Sequence, residues 1–170
     1  MIVYNQAFDI NHTIFRMASL LNYYKDNSLE VERLRIWDFY LAFPREVSNI
    51  RFGIEKGDRD IKKLFPKKYN PYEVISNPNK LFGRMQPYQL IAIKTLASYG
   101  VINKDYFQLN RITKVDKKLL KEYLDDNSSF TERELNIIKI MTSYFNYMPL
   151  YGTQGLKSRT NLLEFKYDAQ

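Results

Sequence analysis

The sequence predicts a mainly α protein: a compact helical domain with one small β-hairpin, open to a winged-helix arrangement. Three observations lead there. Apolar residues recur at three- and four-residue spacing through most of the chain. Helix-starting and helix-stopping residues bracket those runs. Only residues 100–109 carry the order of helix stop, apolar pair, polar turn and second apolar run that suits a hairpin.

The first helix is expected over 11–25, with Asn11 as N-cap and Ile14, Met17, Ala18 and Leu21 facing inward. Asn27-Ser28 breaks the chain, and Ser28 caps a second helix, 29–43. That helix stops at Pro44, because the residue before a proline avoids the helical region. Its residues Leu34, Trp37 and Leu41 share one stripe, while Ile36, Tyr40 and Phe43 lie on other sides. A helix apolar on several faces is packed on several faces.

Residues 52–85 are the least regular part, punctuated by Gly53, Gly57, Pro66, Pro71, Pro78 and Gly83. A third helix is expected over 87–99, with Pro87 in its first turn, Gly100 as its left-handed cap, and Leu90, Ile93, Leu96 and Ala97 inward. Val101-Ile102, the turn Asn103-Lys104-Asp105 and the run Tyr106–Leu109 then form the hairpin. A short helix, 115–125, carries Leu119, Leu120, Tyr123 and Leu124. Thr131 and Glu134 form a capping box and Phe130 with Leu135 a hydrophobic staple; Ile138, Met141, Phe145 and Met148 continue that helix's inner face to Pro149. The tail, 151–170, holds a glycine-rich turn, a basic patch and the apolar segment Leu162-Leu163-Glu164-Phe165. At 170 residues the chain is expected to form one domain, since domains commonly run ~100–200 residues.

Composition narrows the chemistry. There is no cysteine and a single histidine, His12, so thiol catalysis is excluded and zinc ligation nearly so. A serine triad would need His12 as its base, and no Gly-x-Ser-x-Gly elbow is present. Met1–Gln6 lacks the basic start and apolar core of a signal peptide, and no apolar run approaches the ~18 residues of a membrane span. A cytoplasmic protein without membrane contact is expected. The net charge of +7 permits contact with nucleic acid or an acidic protein without requiring either.

Asp38 stands out because it interrupts "RLRIWDFYLAFP", Arg33 to Pro44, between Trp37 and Phe39. A carboxylate inside such a run must be paired, since leaving it bare costs several kcal/mol. Arg35, three residues earlier, and Arg16 on the first helix are the available partners. Asp38 therefore reads first as a structural ion-pair member. The competing reading makes Arg35, Trp37, Asp38 and Phe39 a docking surface, with the acid anchoring a partner's cation in an aromatic surround.

Asp38 with Asp60-Ile61-Lys62 loosely fits the two acids and lysine of some metal-dependent nucleases, but Asp38 lies on an expected helix and Asp60 in a charged, glycine-flanked stretch. Gly155-Leu156-Lys157-Ser158 resembles the end of a phosphate loop but breaks the required Gly-Lys-Ser contiguity. A weaker phosphate role stays open for Gly152, Gly155, Lys157, Ser158, Arg159 and Thr160, against the plainer reading of a solvated turn. The lysine groups 62, 63, 67, 68 and 114, 117, 118, 121 read first as solvated faces.

The stretches "HTIFRMASLL" (12–21), "RLRIWDFYLAFP" (33–44) and "GLKSRTNLLEFKYD" (155–168) together resemble the middle components of bacterial ABC-three-component systems, in the group called middle component 5. The resemblance implies a non-enzymatic bridge between an SMC- or Rad50-like ATPase and an effector, often a nuclease. It implies a role in antiphage or anti-plasmid defence, with Lamassu-type systems as relatives, and DNA reached through the complex. No cofactor, metal or catalytic residue is implied. Helix 33–44 and the tail, including Lys157, Arg159 and Thr160, are then the candidate contact regions, and reversing the charge of Arg159 should weaken assembly without unfolding the chain. The alternatives from other classes are a winged-helix DNA-binding protein, for which helix 87–99 offers Lys94 as its only cation, and a small nuclease using Asp38 and Asp60.

Overall fold

The computed structural model describes residues 4–54, 56–65, 75–125 and 130–163. It is mainly helical. A 3-10 turn, Gln6–Phe8, leads into α1 (Ile10–Tyr23), followed by β1 (Leu29–Glu30), α2 (Val31–Ala42) and a second 3-10 segment, Pro44–Asn49. Then come α3 (Lys56–Lys63), α4 (Pro78–Ser98), α5 (Tyr106–Leu109), β2 (Arg111–Ile112), α6 (Lys117–Asp125), α7 (Glu132–Thr142) and α8 (Leu156–Thr160). Helix α1 packs most extensively on α4 and also meets α2, α6 and α7.

Helix α1 begins one residue earlier than expected. Asp9, not Asn11, is its N-cap, with a carboxylate oxygen 3.0 Å from the His12 amide. Its far end is closed by a distant side chain. The Lys117 ammonium donates to the carbonyls of Leu21, Asn22 and Tyr24, with 3.0 Å to Asn22. A cation at a helix C-terminus satisfies orphan carbonyls and complements the dipole. Burial pulls the Lys117 amine below its ordinary range.

The chain after α1 does not go straight into a helix. Leu29-Glu30 is extended and pairs antiparallel with Ile112-Arg111. Ser28 cannot cap α2, since its hydroxyl accepts from Arg111 Nε at 2.8 Å and its carbonyl from the Tyr24 hydroxyl. Helix α2 is the centre of the molecule: Val31 and every residue from Arg33 to Leu41 are buried. Apolar residues on all its faces correspond to α1, α4 and α7 around it.

The third helix differs most from expectation. It starts at Pro78, with Asn77 capping the Lys80 amide at 2.9 Å, and runs straight through Pro87. Pro78, not Pro87, is the first-turn proline. The carbonyl that Pro87 leaves without an amide partner belongs to Gly83, and both residues face solvent, where water can replace the lost bond. The longer helix turns its inner face to Phe82, Met85, Gln89, Ala92, Ile93, Leu96 and Ala97, leaving Leu90 36% exposed. The Gly100 stop holds: φ is +75°, Val101 N donates to Leu96 O, and Gly100 N donates to Ala97 O, both at 3.0 Å.

The expected hairpin forms otherwise. Tyr106–Leu109 is a helical turn ended by the left-handed Asn110 (φ 49°), not a strand. Ile102 instead bridges Val115, and the strand beside that bridge, β2, pairs with β1. Helices α3 and α5 come before and after α4, and the described residues hold one two-stranded sheet, β1 with β2. Helix α6 is capped by Asp116, whose side chain accepts from the amides of Lys118 and Leu119, both at 3.1 Å. The capping box of Thr131 and Glu134 at α7 is present as expected. Residues 67, 68 and Glu164-Phe165 lie outside the described residues.

Candidate functional site

Asp38 has no solvent exposure. Arg16 reaches it from α1: Nε donates to Oδ1 at 2.7 Å and Nη2 to Oδ2 at 3.4 Å. The same guanidinium donates to Thr13 Oγ1 at 3.1 Å and the Gln6 carbonyl at 3.0 Å. From α4, Gln89 Nε2 donates to Asp38 Oδ2 at 2.9 Å and to the Arg35 carbonyl at 3.1 Å. Arg35 Nε returns a bond of 3.0 Å to Gln89 Oε1, with its guanidinium 4.9 Å from the Phe82 ring. Burial pulls the Arg35 guanidinium down, opposed by the charges of Glu32 and Asp38. Three helices are thus tied through one carboxylate.

This network answers the question Asp38 raised, and it corrects the docking reading. Trp37, Asp38 and Phe39 have no exposure and Arg35 only 7%, so these residues present no face to a partner. Their surround is internal: Trp37 packs on Tyr24 and Phe39 on Phe82. The nuclease reading loses its first acid in the same way, because both Asp38 oxygens are committed to donors. Asp60 sits on the surface, paired with Lys63 at 3.1 Å. Among the described residues no group of His, Cys, Asp or Glu could hold a metal ion.

A second buried cation organises the C-terminal side. Arg33 Nη1 donates to the carbonyls of Phe145 and Met148, both at 2.8 Å, while its Nε bonds Glu30 at 2.7 Å. Glu30 also lies 3.7 Å from Arg111. Burial alone would raise the Glu30 carboxyl; the bond to Arg33 and the charges of Arg33 and Arg111 bring it below the ordinary range.

The tail residues are also built in. Lys157 is buried, 3.8 Å from Glu32 and 5.2 Å from the Tyr151 ring centre. Arg159 donates to Gln154 O at 2.7 Å, Gln154 Oε1 at 3.1 Å and Arg51 O at 3.0 Å. The Thr160 hydroxyl donates to Leu156 O at 2.8 Å and bonds the buried Tyr40 phenol. A Cβ on Gly155 would stand 2.2 Å from the Tyr151 carbonyl, so this glycine serves close backbone packing. The cations considered for phosphate, Lys157 and Arg159, lie beside a carboxylate and donate to carbonyls of the tail and Arg51.

Two concavities lie among the described residues. One, about 800 Å³, lies between the α1 N-terminus, α6 and α7 and is lined by His12, Arg16, Tyr123, Phe130 and Glu134 among others. Its Arg16 is spent on Asp38 and its Glu134 on the Thr131 cap, so it assembles no acid–base pair from those groups. The other, about 480 Å³, lies between α4 and α5. No helix among the described residues is long and apolar enough to cross a membrane.

The chain matches ABC-three component (ABC-3C) system Middle Component 5 over residues 2–168. The chain belongs to that family. No curated protein and no solved structure matches it. The three stretches that carried the resemblance all fall within the matched range, and in this Middle Component 5 chain two of them hold the network: "HTIFRMASLL" supplies Arg16 and "RLRIWDFYLAFP" supplies Arg35 and Asp38. Gln89 and Arg33 were not singled out from the sequence. Gln89 sits on the apolar stripe of Met85, Ile93 and Leu96, and a lone amide on an inward stripe is the signal that a buried acid has a donor nearby.

Proposed function

We propose that this chain is a non-enzymatic bridging subunit, joining an SMC- or Rad50-like ATPase to a nuclease-type effector in a cytoplasmic antiphage or anti-plasmid defence complex. Lamassu-type systems are its relatives in this reading, and DNA is met through the complex. The observation that carries it is the Middle Component 5 match over residues 2–168. The side chains supply consistent support: the carboxylate and guanidinium groups that could have formed a reaction centre are consumed in holding helices together. The test is co-expression with the ATPase and effector subunits of its own system. The tagged chain is purified at moderate salt after nuclease treatment. Both subunits in stoichiometric amount are expected; a chain that emerges alone overturns the reading.

One observation favours a second reading, a DNA-binding winged helix. The order α1, β1, α2, α4 and β2 fits apart from the intervening α3 and α5, and α4 carries Lys80 and Arg84 besides Lys94. Arg84 lies 4.7 Å over the Phe8 ring, however, which leaves few cations for phosphates. This reading expects the isolated chain to bind duplex DNA with an affinity that falls steeply with salt.

A further inference from the structure

The outer face of α4 exposes two apolar residues ahead of its polar C-terminal turn. Leu90 and Ile91 are 36% and 45% exposed. Lys94, Ala97 and Ser98 continue the same face, because residues three, four and seven apart align along a helix. Opposite them, α5 raises Phe107 into solvent, 77% exposed. Between the two walls runs the open groove of about 480 Å³, lined by Lys94, Ala97 and Ser98 on one side and Lys104, Tyr106 and Phe107 on the other.

The far wall is braced. Asn103 Nδ2 donates to Asp105 Oδ1 at 2.8 Å and to the Arg111 carbonyl at 3.1 Å, and its Oδ1 accepts from the Thr113 amide at 2.9 Å. Phe107 is therefore held out by a fixed turn, not by a loose loop. Leu90, Ile91 and Phe107 would offer such a contact its apolar groups. Its rim is cationic: Lys94 and Lys104 line the groove, and neither has an ion-pair partner among the described residues. Asp105, the nearby acid, is turned to Asn103.

We infer that this groove receives an acidic amphipathic segment of another component of the complex. Its apolar residues cover Leu90, Ile91 and Phe107, and its carboxylates meet Lys94 and Lys104. The inference rests on the bridging reading for the identity of the partner. A nucleic-acid strand fits less well, because it carries a charge every ~3.4 Å along its whole length, more than two lysines can answer. A second copy of the chain would set Lys94 and Lys104 against themselves across a two-fold contact.

The test uses the co-expressed complex. Phe107→p-benzoylphenylalanine places a photo-crosslinker in the groove, and Tyr147→p-benzoylphenylalanine, at an 81% exposed control position, places one after α7. Position 107 is expected to cross-link to a segment of another subunit with carboxylates beside helically spaced apolar residues. Lys94→Glu with Lys104→Glu is expected to weaken binding of that subunit at least about tenfold, with an unchanged melting curve because both lysines are exposed. A complex that assembles without a cross-link from 107, or with unchanged affinity in the double variant, overturns the groove and leaves the bridging role standing. Cross-linking of 107 to a second copy or to DNA overturns it in favour of that occupant. Failure of any complex to assemble removes the bridging role and the groove's partner with it.

Discussion

Asp38 Oδ1 lies 2.7 Å from Arg16 Nε, in a place where Asp38 has no solvent exposure and Arg16 only 7%. Such a pair is not in itself strong evidence of stabilisation, because desolvation offsets most of the Coulomb attraction. Breaking one side is another matter. Asp38→Leu leaves the Arg16 guanidinium and the Gln89 amide buried without their acceptor, and should cost about 3–5 kcal/mol. Removing both charges, Arg16→Met with Asp38→Leu, should recover at least half of that. Urea denaturation of the four proteins of the cycle measures it. A single variant costing under about 1 kcal/mol would show that the network does not hold the helices.

The ion pair shows how much of this molecule the sequence states and where it stops. That Asp38 needs a cation follows from its apolar neighbours alone. Which cation wins does not. Arg35 is closer along the chain, but its guanidinium stacks on Phe82 and bonds Gln89, while Arg16 arrives from a helix 22 residues away. Periodicity found α1, α2, α6 and α7, and capping residues placed the start of α7 and the stop of α4 correctly. The start of α4 was missed because Pro87 reads as a first-turn residue until Pro78 and the Asn77 cap are seen to serve that role nine residues earlier. The same error hid the groove. With α4 starting at 87, Leu90 belongs to the core stripe, and with 106–109 as a strand, Phe107 has no wall to form. Short apolar runs do not distinguish a helical turn from a strand.

Glu30 gives the fold an acid limit. Its carboxyl is held below the ordinary range by Arg33 and Arg111 against the effect of burial. A depressed carboxyl contributes stability that is fully present above its unfolded pKa, about 4.5, and is lost as pH falls through its lower folded value. Stability should therefore decline below about pH 4.5, and the decline should be shallower in Glu30→Gln. Urea midpoints measured every half pH unit for both proteins check this; equal slopes would locate the acid sensitivity elsewhere.

Arg33 should resist even conservative exchange. Its fork bonds two carbonyls at 2.8 Å and Glu30 at once, and a lysine ammonium cannot reproduce that planar geometry. Arg33→Lys should cost about 2–3 kcal/mol. The loss should appear as a lower melting temperature together with faster protease cleavage in the turn 143–148. A variant that melts with the parent would mean that this turn is held by Phe145 packing alone.

The tyrosines set the alkaline limit. Burial, with the charges of Asp26 and Glu30, pushes the Tyr24 phenol up to about 12. Burial beside Glu46 pushes Tyr40 higher still. A raised acid favours the folded state while protonated, so this contribution is intact below the unfolded value near 10 and is lost as pH rises from there towards 12. Ultraviolet titration should show at least two of the 14 tyrosines ionising only with unfolding. Tyr24→Phe should remove part of the alkaline slope.

The glycines of α4 allow opposite outcomes from one kind of substitution. Gly83 lies inside the helix with nothing within 4 Å of where a Cβ would stand. Glycine in a helix interior costs about 0.5–1 kcal/mol relative to alanine, so Gly83→Ala should stabilise by that amount and raise the melting temperature by about 1–4 °C. Gly100 is just as open, but its φ of +75° is one an L-residue rarely adopts. Gly100→Ala should cost about 1–2 kcal/mol. Differential scanning calorimetry of the two variants should show shifts of opposite sign. A stabilising Gly100→Ala would mean that α4 does not end in the left-handed turn that directs the chain towards Asn103 and the groove.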